Sequence, residues 1–271
     1  MSLVVPLGSE CGVATPSFIC DQPSPRLDLS HARWFSPSGL VTLAAHAERL
    51  SSQGDVEVIA PTDVHRANYV SRMGLGDVLD GIKVRHNLPP VYRYDNAMLV
   101  EITRFDGTSG AEKLAELVFA HLEPTNQAVA IAMHQAICEL GTNVPEHAGV
   151  PSGFLAAQMT HHGSQIKFAV ADGGAGMRRH MEAAGATDDL ESIRLAIQKR
   201  VTSTGVVHRG KGLARIRELV QETGGYLHLT TGSAGLTLWS NREFVRANPK
   251  RFRGTMIEGL LMCDPLVGAR K

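Results

Sequence analysis

Over the first third of the chain, apolar positions alternate between short β-type runs and helical stripes. Leu27, Asp28 and Leu29 predict a short strand. Ser36-Pro37-Ser38 predicts a helix start, since a serine side chain accepts a first-turn N–H and proline is preorganised for the first helical position. Leu40, Leu43, Ala44, Ala47 and Leu50 follow at helical spacing, and Gly54 ends the run. Val56 to Ala60 predicts a second strand. Thr62 or Asp63 can cap a second helix bearing Val64, Ala67, Val70 and Met73, closed by Gly74. Strands alternating with helices indicate an α/β layer. Asn87-Leu88-Pro89-Pro90 marks a boundary, because paired prolines bar a helix and hold the chain extended.

The pattern then restarts. Met98 to Ile102 predicts a strand. Ser109-Gly110-Ala111-Glu112 has the form of a capping box before a helix bearing Leu114, Leu117, Val118 and Leu122, stopped by Pro124. Asn126 can cap a longer helix with Val129, Met133, Ala136 and Leu140 on it. Phe154–Thr160 and Gln165–Ala171 predict two strands, joined by a hairpin turn at His162-Gly163-Ser164. Asp188 to Val201 has helical character, and Leu213–Thr223 predicts a helix ended by Gly224. Tyr226–Thr230, Gly235–Trp239 and Thr255–Met262 predict three closing strands. The second part therefore reads as an α+β sandwich of several helices on a sheet.

Composition narrows the partners. The 271 residues carry 27 Lys+Arg against 27 Asp+Glu, so net charge is zero. That balance argues against a general nucleic-acid or anionic-membrane binder. No apolar run approaches the roughly 18 residues of a membrane span. Cys11, Cys20, Cys138 and Cys263 are scattered without a CxxC pair, which predicts no zinc framework and a reducing, cytoplasmic setting.

Three clusters carry chemistry. In the first, Glu139-Leu140-Gly141-Thr142-Asn143-Val144-Pro145-Glu146-His147-Ala148, helical steps of four place Glu139, Asn143 and His147 along one stripe. A carboxylate and an amide oxygen one turn apart suit a hard cation such as Mg²⁺, and the carboxylate can instead take a proton from a nucleophile. A solvated helix face would have the same pattern. The second cluster, Asp172-Gly173-Gly174-Ala175-Gly176-Met177, follows an apolar strand. Glycines let backbone approach a ligand, and an Asp at a strand end can accept a hydrogen bond from an exocyclic amine. The third, Thr202 to Gly205 and Gly210-Lys211-Gly212-Leu213, leads into a helix whose N-terminal N–H groups suit phosphate. Its glycine spacing fits neither a Walker A loop nor a Rossmann fingerprint.

In this order the three clusters resemble the motifs of the GHKL (Bergerat-fold) ATPase superfamily, over roughly residues 98–263. Glu139 to Ala148 looks like the N box, Asp172-x-Gly174-x-Gly176-Met177 like the first glycine box, and Gly210-Lys211-Gly212-Leu213 like the second. Gly254-Thr255 before a final apolar strand resembles the last threonine segment. The resemblance implies a two-layer α/β sandwich that binds ATP and Mg²⁺. It implies that Asn143 holds the metal and that Asp172 accepts from the adenine amine. Gly174 and Gly176 would lie against base and ribose, Gly210, Lys211 and Gly212 would contact phosphates, and Thr255 would hold adenine through water. His147, Met177 and Leu213 belong to the same boxes. Glu139 matches the general base of hydrolysing or serine-phosphorylating members, and Arg178 to Arg209 would be a mobile ATP lid.

No phosphoacceptor motif accompanies His121 on the helix before the N box, and the compact form resembles anti-sigma-factor serine kinases more than sensor histidine kinases. Residues 1–90 are similar to a STAS domain, followed by the histidine-kinase-like ATP-binding domain at 91–271. Ser38, immediately before Gly39-Leu40, matches the serine that is phosphorylated in STAS regulators, although Ser36 stands where that family usually has Asp. Pro145 also departs from the N-box pattern. The function implied is a Mg-ATP-dependent serine/threonine phosphotransferase or ATPase in a partner-switching pathway, acting on a sigma-factor or STAS-type protein partner. The alternative is a non-catalytic, ATP-gated binding module whose lid state controls a partner.

Overall fold

The computed structural model describes residues 3–4, 26–92, 99–124, 126–143, 150, 152–197, 212–239 and 242–263. The fold is mixed α/β, with one parallel and one antiparallel sheet. The parallel sheet contains β1 (Leu3–Val4), β2 (Arg26–Asp28), β3 (Glu57–Ile59) and β4 (Arg85–His86), in that order. Parallel neighbours need crossovers. They are supplied by α1 (Pro37–Ser51) between β2 and β3, and by α2 (Val64–Arg72) and α3 (Leu75–Gly81) between β3 and β4. Ser36 caps α1, its Oγ accepting from the Gly39 N–H at 3.2 Å, and Asp63 caps α2 by accepting from the Arg66 N–H at 2.9 Å. The helix α3 has no counterpart in the sequence reading. Gly74 enters it with φ +85°, and Leu75, Val78 and Leu79 bury its one apolar face.

The antiparallel sheet contains β5 (Leu99–Asp106), β6 (Ser152–Thr160), β7 (Gln165–Asp172), β9 (Arg242–Met262) and β8 (Tyr226–Trp239), in that spatial order. Helices α4 (Gly107–Leu122), α5 (Gln127–Asn143), α7 (Asp189–Ile197) and α8 (Gly212–Thr223) cover one face, and the short α6 (Arg178–Met181) precedes α7. Leu155, Phe168, Leu227 and Leu229 meet Leu114, Val118, Met133 and Leu219 in that core. The capping box expected at Ser109 lies inside the first turn of α4. The helix starts at Gly107 directly from β5, with Asp106 at its N-cap and no side-chain cap bond. Asn126 does cap α5, its Oδ1 accepting from the Val129 N–H at 3.1 Å. Gly141 lets α4 and α5 approach closely, because a Cβ there would overlap that of Ala111.

Strand β8 doubles back on itself. His228 Nδ1 and Thr237 Oγ1 lie 2.8 Å apart, whereas nine residues of extended strand span about 30 Å. The reversal falls at Gly232-Ser233, where Gly232 takes φ +53° and the β8–β9 register shifts. It brings Ala234, Leu236 and Leu238 onto the same helix-side core as Leu227 and Leu229. The two strands expected at Tyr226–Thr230 and Gly235–Trp239 thus correspond to the two limbs. The first half of β9, residues 242–247, pairs with the returning limb.

On the other face of this sheet, α1 covers β6, β7 and the second half of β9. Phe154, Ala156, Ala169, Ala171 and Met256 share one hydrophobic cluster with Leu40, Val41, Leu43 and Ala44. Every residue from Pro37 to Ala47 is buried, because α1 is apolar or small all round and lies between two layers. Its Glu48 accepts from Arg104 Nε at 2.7 Å and from Ser152 Oγ at 2.6 Å. Tyr69 donates to Gln158 Oε1 at 3.0 Å, and Arg72 pairs with Glu101. Among the described residues no helix is long and apolar enough to cross a membrane.

Candidate functional site

Strand β7 delivers Asp172 to the sheet end, in register with Thr255 of β9. Alternation along β7 is apolar on both faces, so the carboxylate arrives buried at 6% exposure. Its Oδ1 accepts from the Gly174 N–H at 2.8 Å, and Thr255, cross-strand from it, brings an N–H and a hydroxyl that favour the charged form. Burial pushes the carboxyl up to about 6, against those donors, which pull it down. Above that pH the group is an ionised acceptor with a partly exposed glycine backbone beside it.

The loop after Asp172 is held from three sides. Thr231 of β8 accepts from the Met177 N–H at 2.9 Å and donates to the Gly254 carbonyl at 3.1 Å; its Oγ1 lies 3.5 Å from that of Thr255. Gly176 takes φ +79°, and a Cβ there would stand 2.9 Å from Thr231 Oγ1. Gly254 takes φ +99°, and a Cβ there would overlap the Asp172 carbonyl oxygen. From behind, α1 presses on the loop, since a Cβ on Gly173 would stand 2.7 Å from the Ala45 carbonyl oxygen. His46 on the same helix is pushed down to about 3 by burial and by the charges of Arg49 and Arg253.

Asp172, Gly174, Gly176, Met177 and Thr255 therefore converge on one sheet end. Glu139 and Asn143 both belong to α5, one turn apart, but their side chains lie outside the described residues. His147, Gly210 and Lys211 also lie outside them, while Gly212 and Leu213 open α8. Ser38 sits in the first turn of α1 at 8% exposure, its Oγ 2.9 Å from Ser36 Oγ.

The stretch expected to form a mobile lid is packed over its first part. Residues 178–197 fold into α6, a 3₁₀ turn and α7, and Ile193 is fully buried in the core. Asp189, buried at the start of α7, accepts from both the N–H and hydroxyl of Ser233 at 2.8 Å. That bond ties α7 to the β8 reversal two residues past Thr231. The remainder, 198–209, lies outside the described residues. Sequence reasoning missed Thr231 and Asp189. Each sits where its residue type is unremarkable, a threonine in a strand and an acid in a first helical turn. Only Gly232-Ser233 beside them offered a signal, as a tight-turn pair.

The site and the sheet beneath it define the chain as a mixed α/β protein with a buried carboxylate at a glycine loop. Among known proteins, no family model and no curated protein matches it.

Proposed function

We propose that the chain is an ATP-binding signalling protein of the GHKL type with an N-terminal STAS-like layer. In this reading it acts as a Mg-ATP-dependent serine/threonine kinase of the anti-sigma-factor class in partner switching. The observation that carries the reading is the environment of Asp172. A buried carboxylate at a strand end, with Gly174 and Gly176 beside it and Thr255 across the strand pair, suits an exocyclic amine on a planar base. Positive-φ glycines at 176 and 254 let Thr231 and the Asp172 backbone pack directly against the loop, which fixes where the carboxylate is presented.

The residues then divide the work. Asp172 accepts from the base amine, and Thr231 holds the loop backbone at Met177. Asn143, at the described end of α5, would hold Mg²⁺, and Gly210, Lys211 and Gly212 would face the phosphates. Bound Mg-ATP supplies the transferable phosphoryl group and the charge that neutralises it. Glu139 takes the proton from the attacking hydroxyl, so catalysis consists of positioning, electrostatics and one base.

One observation favours the alternative, an ATP-gated binding module with little chemistry. Ser38 is 8% exposed in α1 and its hydroxyl is engaged with that of Ser36, so within its own chain it is a poorly presented acceptor. Incubation with γ-labelled ATP and Mg²⁺, with and without a STAS-type protein, separates the two. The kinase reading expects label on the added protein and a roughly 10²–10⁴-fold loss of transfer in Glu139→Gln with ATP binding retained. Binding without transfer to any acceptor supports the gated module and overturns the kinase.

A further inference from the structure

We propose that residues 242–247, the outer strand of the sheet, receive an acidic segment of a protein partner that adds as a further β-strand. The inference rests on the sheet edge and not on the nucleotide reading. Because β8 doubles back, the antiparallel sheet ends on this half of β9, and among the described residues no strand pairs with its outer side. Its backbone groups along that side are a template for another strand.

The side chains select what can add. Val245 packs into the helix-side core, and Glu243 pairs with Arg217 of α8 at 3.3 Å, so both lie on the helix side. Alternation puts Arg242, Phe244 and Arg246 on the opposite face, and all three are exposed. Trp239, cross-strand from Arg242, is 45% exposed and packs edge-to-face on the 52%-exposed Phe244 with ring centroids 5.6 Å apart. The face thus reads cation, aromatic pair, cation. In a chain of net charge zero, residues 242–253 hold five basic side chains (Arg242, Arg246, Lys250, Arg251, Arg253) and one acid, and that acid is engaged by Arg217.

A strand laid along this edge places alternate residues beside Arg242, Phe244 and Arg246. Charge complementarity calls for Asp or Glu beside the arginines and an apolar residue beside Phe244. The matching ligand is an acid–apolar–acid segment. A single-stranded nucleic acid would also meet cations and aromatics, but it needs ring faces for base stacking. Here the two rings pack on each other, and the open backbone edge offers hydrogen bonds that a polynucleotide cannot use as a ladder.

The experiment uses the full chain and three labelled probes followed by fluorescence anisotropy. They are a dodecapeptide alternating Glu with Val, its counterpart with Lys for Glu, and a twelve-nucleotide oligothymidylate. The acidic peptide is expected to bind and to protect the amides of 242–247 from hydrogen exchange. The Arg242→Glu, Arg246→Glu double variant should weaken it at least about tenfold, since two attractions become two repulsions. The same variant should bind the Lys peptide better than the wild type does, a gain that misfolding would not produce. Failure of the acidic peptide to bind at millimolar concentration, equal binding by the double variant, or preference for the oligonucleotide would each overturn the proposal.

Discussion

Asp172 combines two properties that pull against each other: it is buried, and it accepts most strongly when ionised. Burial raises its carboxyl to about 6 while Gly174 and Thr255 hold the charged form in place. Ligand binding through a donated amine hydrogen should therefore strengthen as pH rises through about 6. Nucleotide titrations from pH 5 to 7.5 should show this rise in the wild type and lose it in Asp172→Asn, which also serves as control for the nucleotide's own titration. A pH dependence identical in both proteins would remove Asp172 from the contact. At this scale the sequence was informative where a residue type is unusual for its place, as with an Asp ending the apolar strand Phe168–Ala171. It was silent on Thr231 and Asp189, whose roles arise from a reversal of β8 that brings distant segments together.

Among the elements, α1 was the most legible. Ser36 and Pro37 set its start, and Leu40, Leu43, Ala44, Ala47 and Leu50 at helical spacing set its course. What covers it was not legible, because an apolar helix surface does not name its partner. The first half of β9 escaped notice for the opposite reason. An edge strand with one solvent face carries Arg, Glu and Asn freely, so REFVRANPKRFR reads as a polar connection. Glycines test the loop geometry directly. Gly254 and Gly185 both adopt φ +99°, yet a Cβ on Gly185 meets nothing within 4 Å while one on Gly254 overlaps the Asp172 carbonyl. Gly185→Ala should cost only the left-handed backbone penalty, about 1–2 kcal/mol. Gly254→Ala should add overpacking of about 1–3 kcal/mol and displace Asp172. Equal losses in chemical denaturation would mean that the close approach at Gly254 is not maintained in solution.

Across the whole molecule, the N-terminal layer and the antiparallel sheet share one hydrophobic cluster, bridged by Glu48, Tyr69 and Arg72. The glycine loop lies between α1 and β9, so its position depends on both layers. This joint packing gives an acid response with opposing parts. His46 and His228 are each held at about 3, the first cause in both being burial. Their folded values are depressed, so stability is lost as pH falls below the unfolded value near 6.5, by about 2 kcal/mol each at pH 5. Asp172 is raised, so it stabilises as pH falls through about 6, offsetting about 1 kcal/mol of that loss at pH 5. Denaturation at pH 7 and pH 5 should therefore differ by a net loss of about 2–3 kcal/mol. A gain in stability at pH 5 would show that the two histidines are not buried as neutral rings. The central claim, that the Asp172 loop is an adenine-nucleotide site, is tested most directly by calorimetric titration of the full chain with Mg-ATP. Wild type should bind, and folded Asp172→Asn should bind more weakly by about 1.5–3 kcal/mol, the range for a hydrogen bond to a charged group. Unchanged affinity in the variant, or no binding by the wild type, would contradict it.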